Sequence, residues 1–201
     1  MRPGKIVVIG RNYADRAGGS APDPAGPVIF FKPTTSVISS GGTVEIPAGL
    51  GEVRFEGELA VVIGEQCKNV PATRYRDVVR GYTCADDITA WDLGQGTRQW
   101  SRAKSYDTFC PLGPIVVEDL DPDNLAIGTT VNGEVRQKGS TAQMVRPVSE
   151  LIAAASRLMT LEPGDVILTG TPDGSGPVHD GDDVRITIEG IGTLTHSVRL
   201  G

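Results

Sequence analysis

The chain has 201 residues, a formal net charge of −6, and 39% hydrophobic against 22% charged residues, which describes an ordinary globular protein with one substantial core. Its 19 Lys and Arg residues form no cluster, so nucleic acid is excluded as the expected partner, because that binding rests on basic patches facing phosphates. No apolar run reaches the length of a membrane span, and residues 1–4 lead straight into a strand-like segment with no signal-peptide core; a cytoplasmic protein with no membrane association is expected.

Gly (26) and Pro (14) are spread throughout, and the segments between them are short and rich in Val, Ile and Thr. This predicts a mainly β protein with few helices, of the α+β class, in one domain spanning residues 1–201. The first strand is expected at residues 6–9. Arg11 and Asn12 follow Gly10 where a phosphate loop would need further glycines, which discards a nucleotide-binding reading. Residues 17–27 are rich in Gly, Ser and Pro and read as a loop; a second strand follows at 28–31.

At Arg54-Phe55-Glu56-Gly57-Glu58-Leu59-Ala60-Val61-Val62-Ile63-Gly64 the alternation of strand side chains puts Glu56 and Glu58 on one face with Ala60 and Val62. Phe55, Leu59, Val61 and Ile63 lie on the other. Neither face looks solvated, and two carboxylates entering a core need a cation or fixed donors. Oxygen ligands of this kind suit Mg²⁺ or Mn²⁺.

A short helix is expected at 73–79, closed by Gly81. The next stretch, Gly81 to Ala90, offers a third acid, and parity leaves Asp86 and Asp87 both open. Lys104 then stands as a single lysine near Tyr106, Phe109 and Pro111. Desolvation beside a cation is expected to lower its pKa into the range useful for proton transfer. Further strands are expected at 115–117, 128–131 and 166–169. Leu151, Ile152, Ala155, Leu158 and Met159 recur at helical spacing and predict a helix over 148–159, and alternation at 184–188 and 194–200 predicts a closing hairpin. Cys67, Cys84 and Cys110 are odd in number and widely spaced, as reduced thiols would be.

Several motifs in one order carry a resemblance that covers nearly the whole chain. Gly10-Arg11-Asn12-Tyr13, Phe31-Lys32-Pro33, the two-glutamate segment, Gly81-Tyr82 with Asp87-Ile88-Thr89-Ala90, Ala103-Lys104-Ser105, Pro111-Leu112-Gly113-Pro114, Val131-Asn132-Gly133-Glu134 with Arg136-Gln137, Leu161-Glu162-Pro163-Gly164-Asp165 and Leu168-Thr169-Gly170-Thr171-Pro172 resemble the fumarylacetoacetate hydrolase family, and in particular its acylpyruvase, oxaloacetate decarboxylase and dienedioate isomerase members. The resemblance implies mixed β-sheets in a sandwich-like roll, a homodimer, and a Mg²⁺ or Mn²⁺ site with Glu56, Glu58 and Asp87 as ligands. It also implies Lys104 as the catalytic residue, with Gln137 and Thr171 in substrate binding. The implied chemistry acts on a 2-oxo acid or 1,3-dicarbonyl compound through a metal-stabilised enolate, by decarboxylation, C–C hydrolysis or keto–enol isomerisation.

Two departures narrow this. Hydrolytic relatives carry a His and a Glu on a short lid where this chain has Arg16 and Gly19, so the group that would deprotonate water is missing and the non-hydrolytic reactions are favoured. Trp91 stands where many relatives have an Arg that grips the substrate carboxylate. An indole cannot make that bidentate contact, and Arg16 is the candidate to supply the lost charge. The alternatives are a specialised isomerase, cyclase or condensing enzyme, or a metal-binding pseudoenzyme.

Overall fold

The structure, a computed structural model, describes residues 3–14 and 22–201. Arg16, Gly19 and most of the expected loop at 17–27 therefore lie outside the described residues. The fold is mainly β with few helices, as the spacing of turn residues implies. The strands are β1 (Ile6–Gly10), β2 (Val28–Lys32), β3 (Val37–Ser39), β4 (Gly42–Ile46), β5 (Val53–Phe55), β6 (Gly57–Ile63), β7 (Val79–Asp86), β8 (Thr89–Ala90), β9 (Cys110–Val117), β10 (Ala126–Val131), β11 (Glu134–Ser140), β12 (Val166–Leu168), β13 (Gly176–Pro177), β14 (Asp183–Ile188) and β15 (Gly192–Leu200). They are accompanied by the helices α1 (Trp91–Thr97), α2 (Trp100–Ala103) and α3 (Val148–Leu158).

The strands form a seven-stranded sheet ordered β2-β1-β12-β6-β7-β9-β3, a five-stranded sheet ordered β11-β10-β14-β15-β4, and a small sheet ordered β13-β5-β8. β6 is buried along its whole length because it lies between β12 and β7 with both faces covered, which is why it reads as a continuous apolar run after Glu58. Leu59, Val61 and Ile63 pack with Ile186, Ile188 and Leu194 of the five-stranded sheet and with Leu151, Ile152 and Ala155 of α3. Ala60 and Val62 face the opposite way, toward Ile6, Val8, Cys110 and Leu168. A third cluster joins the small sheet to the five-stranded one through Phe55, Ile88, Phe109, Val184 and Val198. The acids thus stand where all three sheets meet.

Some elements differ from the expectation. The helix expected at 73–79 is a 3₁₀ segment, Ala72–Asp77, with Tyr75 as its buried residue; it has no apolar stripe to hold a full α-helix against the core. The strand expected at 115–117 begins at Cys110, because Pro111 and Leu112 pair with β3. All three cysteines are free thiols. Burial pushes the Cys84 thiol up to about 11 and the Cys110 thiol up to about 12, which leaves both inert as nucleophiles. Among the described residues no helix is long and apolar enough to cross a membrane.

Candidate active site

Glu56 occupies the break between β5 and β6, and its backbone is held on both sides. Its N–H donates to Asp86 Oδ1 at 2.7 Å, and its carbonyl accepts from the Asp87 N–H at 2.9 Å. The second oxygen of Asp86 lies 2.8 Å from His196 Nε2 on β15, and both side chains are fully buried. Glu58, one residue into β6, accepts the Gly170 N–H at 2.7 Å. Gly170 sits just after β12 at φ +97°, and a Cβ there would come within 2.9 Å of the Asn12 Cβ. This position therefore needs glycine twice over, for its backbone angle and for the close approach. One oxygen each of Glu56, Glu58 and Asp87 falls within 4.8 Å of the others, and all three residues are buried.

Two lysines enter this cluster. Lys104, at the end of α2, donates from Nζ to Glu56 Oε2 at 2.9 Å, to Thr89 Oγ1 at 2.8 Å and to Asp87 Oδ2. Lys32, the last residue of β2, donates to Asp87 Oδ1 at 2.6 Å and to the Ile88 carbonyl at 2.9 Å. Burial pulls the Lys104 pKa down, but the charges of Asp87 and Glu56 outweigh it and hold the ammonium above its ordinary range. The two acids thus keep the lysine protonated in this cluster, whereas the lowering expected above was for a lysine beside a bound cation. Burial likewise pushes Asp87 up, and Lys104 and Lys32 together overcome it, keeping that carboxyl below the ordinary value. Glu58 has no lysine within reach among the described residues. Burial, reinforced by repulsion from Asp87 and Glu56, raises it well above the ordinary value despite Lys104 and the Gly170 N–H.

The all-oxygen donor set, the burial and the convergence of the three acids fit a hard divalent cation such as Mg²⁺ or Mn²⁺.

A cavity of about 170 Å³ opens onto the acids. Its lining includes Glu56, Glu58, Asp87, Lys104 and Thr171 together with Arg11, Val28, Phe30, Trp91 and Trp100. Thr171 donates from Oγ1 to the Gly57 carbonyl at 2.8 Å and accepts from Gln137 Nε2 at 2.8 Å. Gln137 is not part of this wall. Its amide also donates to the Pro172 carbonyl at 2.9 Å and accepts from the Gly57 N–H at 3.1 Å and from Thr129 Oγ1 at 2.7 Å. With those bonds filled, Gln137 holds Thr171 and the start of β6 from behind. Trp91 opens α1 and faces the cavity, whereas Arg16 lies outside the described residues.

Two features went unread in the sequence. Lys32 appeared only as part of a motif, although a lone lysine between Phe31 and Pro33 at the end of an apolar strand was a signal. The Asp86–His196 pair joins residues 110 positions apart, and local patterning could not have joined them.

The sequence matches the fumarylacetoacetate (FAA) hydrolase C-terminal family over residues 5–199. It is 44% identical over 203 residues to the mitochondrial oxaloacetate tautomerase FAHD1 of Arabidopsis thaliana, covering 96% of this chain and 90% of that protein. The fold superposes on the crystal structure of 5-carboxymethyl-2-hydroxymuconate delta-isomerase from Mycobacterium smegmatis with a TM-score of 0.95 at 48% identity, covering 100% of this chain and 80% of that one. It also superposes on maleylpyruvate hydrolase from Sphingobium sp. SYK-6, in complex with manganese(II) and pyruvate, with a TM-score of 0.86 at 38% identity, covering 100% and 72%. With its motifs in order, its acids gathered at the junction of the three sheets and its whole length superposed on such enzymes, the chain belongs to the fumarylacetoacetate hydrolase family.

Proposed function

We propose that the protein is a divalent-metal-dependent tautomerase or isomerase of 2-oxo acids and related 1,3-dicarbonyl compounds, with Glu56, Glu58 and Asp87 as metal ligands and Lys104 as the catalytic residue. One observation carries the choice among the family's reactions. The chain has two histidines, and neither lines the cavity: His196 is bound to Asp86 behind the acids, and the His179 ring is exposed beside Asp182. Hydrolysis needs a base for water, whereas ketonisation needs one proton delivered to carbon and one lost from oxygen. Lys104, held protonated at the cavity wall, donates to C3 of the bound enol and recovers a proton from the enol hydroxyl, so no water is consumed. Mg²⁺ or Mn²⁺ in the acid cluster would supply Lewis-acid chemistry, drawing electron density from the carboxylate and oxo oxygens of the substrate. Thr171, fixed by Gln137 and by the Gly57 carbonyl, presents its hydroxyl to the same space. The names of the tautomerase and isomerase relatives support this reading. A homodimer belongs to it as well, supported by the exposed apolar Ile115 on β9, which is 58% accessible.

An NMR time course tests the reaction class. Purified protein with Mg²⁺ or Mn²⁺, and with EDTA, is given enol-rich oxaloacetate and acetylpyruvate. The expected result is metal-dependent exchange of the C3 protons and faster ketonisation than with metal alone, with the carbon skeletons intact. Cleavage of acetylpyruvate would instead show a hydrolase with an unrecognised base, and loss of CO₂ from oxaloacetate would show a decarboxylase.

A further inference from the structure

The cavity that holds the acids is also lined by a built aromatic surface of Phe30, Trp91 and Trp100, and its construction bears on what the substrate carries beyond its oxo-acid head. The Trp91 ring is held by two neighbours: the Arg54 guanidinium lies 4.1 Å from its centroid, and the Trp100 ring packs at 5.5 Å with a 60° tilt. Phe30 of β2 continues the surface, 6.4 Å from Trp100. Gly94 of α1 makes the arrangement possible, since a Cβ there would come within 2.6 Å of the Trp100 ring. Each ring is held by neighbours, so the surface is formed before any ligand arrives.

Among the described residues the cavity and its surroundings are poor in free positive charge. Lys32 and Lys104 are engaged with Asp87 and Glu56, and Arg54 is paired with Glu52 at 2.5 Å while it lies over the Trp91 ring. Arg11 is the remaining cation of the cavity lining among the described residues, and it is exposed to solvent. A second carboxylate set against these rings would lose hydration with Arg11 as its one unengaged cation in the lining among the described residues, whereas a flat apolar group would gain ring contacts.

We propose that the substrate is a 2-oxo acid whose distal end is a flat apolar group, of the arylpyruvate kind, that lies against Trp91, Trp100 and Phe30 in place of a second carboxylate. This rests on the oxo-acid reading of the acid cluster given above and adds the specificity of the aromatic surface, with Trp91 as the determining residue.

Two inert probes with the same oxamate head separate the two ideas: N-phenyloxamate, with an aromatic tail, and N-oxalylglycine, with a carboxylate tail. Their affinities for the Mg²⁺-loaded protein are measured by calorimetry. N-phenyloxamate is expected to bind about tenfold more tightly. In Trp91→Ala that preference should fall to near unity with N-oxalylglycine affinity unchanged, and in Trp91→Arg it should reverse. The unchanged N-oxalylglycine affinity in Trp91→Ala separates a lost tail contact from a damaged site. Equal or tighter binding of N-oxalylglycine by the wild type, or a preference untouched in both variants, would overturn the proposal and assign the tail to Arg11. If neither probe bound in the presence of Mg²⁺, the oxo-acid reading itself would fail, and this proposal with it.

Discussion

Lys104→Met is expected to slow tautomerisation roughly a thousandfold, within the range that one positioned proton carrier contributes, while divalent metal is still bound. The two effects separate because Lys104 does two things in the structure. It presents a proton at the cavity wall, and it neutralises Glu56 and Asp87 at hydrogen-bonding distance. Methionine keeps the length and apolar stem of lysine without the charge, leaving Lys32 as the ammonium group that faces the three carboxylates among the described residues. Repulsion among the acids then grows in the metal-free protein, so the variant should melt lower than the wild type without metal and gain more from added Mg²⁺. Thermal melts with and without Mg²⁺, set beside the rate of enol loss, check both parts. Weakened metal binding together with the rate loss would contradict this division of roles.

Asp87→Asn removes a charge of the opposite sign and has a larger structural effect. Asp87 is where the cluster's charges balance, since its two oxygens take Lys32 and Lys104 separately, and both lysines are nearly inaccessible, at 2% and 5%. An amide in its place leaves two buried ammonium groups with Glu56 as the carboxylate in reach. Removing one partner from a buried ion pair costs about 3–5 kcal/mol, which for a chain of this size lowers the melting temperature by roughly 10 °C. Adding Lys32→Met to Asp87→Asn removes one orphaned charge and should recover part of that loss. A double mutant no more stable than Asp87→Asn would show that the penalty lies elsewhere. Metal uptake should be lost in both, because a ligand is gone and a positive charge faces the site.

The architecture was largely legible because its signals are local. The apolar run after Glu58, the helical spacing at 148–159 and the alternation at 184–188 each correspond to an element, and the faces assigned to Leu59, Val61 and Ile63 against Ala60 and Val62 are those observed. The break at Glu56 was not legible, because it depends on Asp86 accepting the Glu56 N–H from a neighbouring strand. Parity left Asp86 and Asp87 open for a physical reason: both are used, one toward the cavity and one toward His196. The hold of the acids on Lys104 was not legible, because the sequence reading weighed burial and a neighbouring cation, and it takes the positions of Asp87 and Glu56 to show their attraction. Lys32 was missed because its role appears only when β2 lies against β1 in the sheet, which brings the end of that strand over Asp87.

The central claim, that Glu56, Glu58 and Asp87 form one metal site, is tested most directly by titrating EDTA-stripped protein with Mn²⁺ and following the free ion by electron paramagnetic resonance. The wild type should take up one Mn²⁺ per chain. Glu58→Gln, which removes the carboxylate that no lysine touches and keeps its shape, should weaken that uptake by about tenfold or more. No uptake by the wild type, or uptake unchanged in Glu58→Gln, would contradict the account.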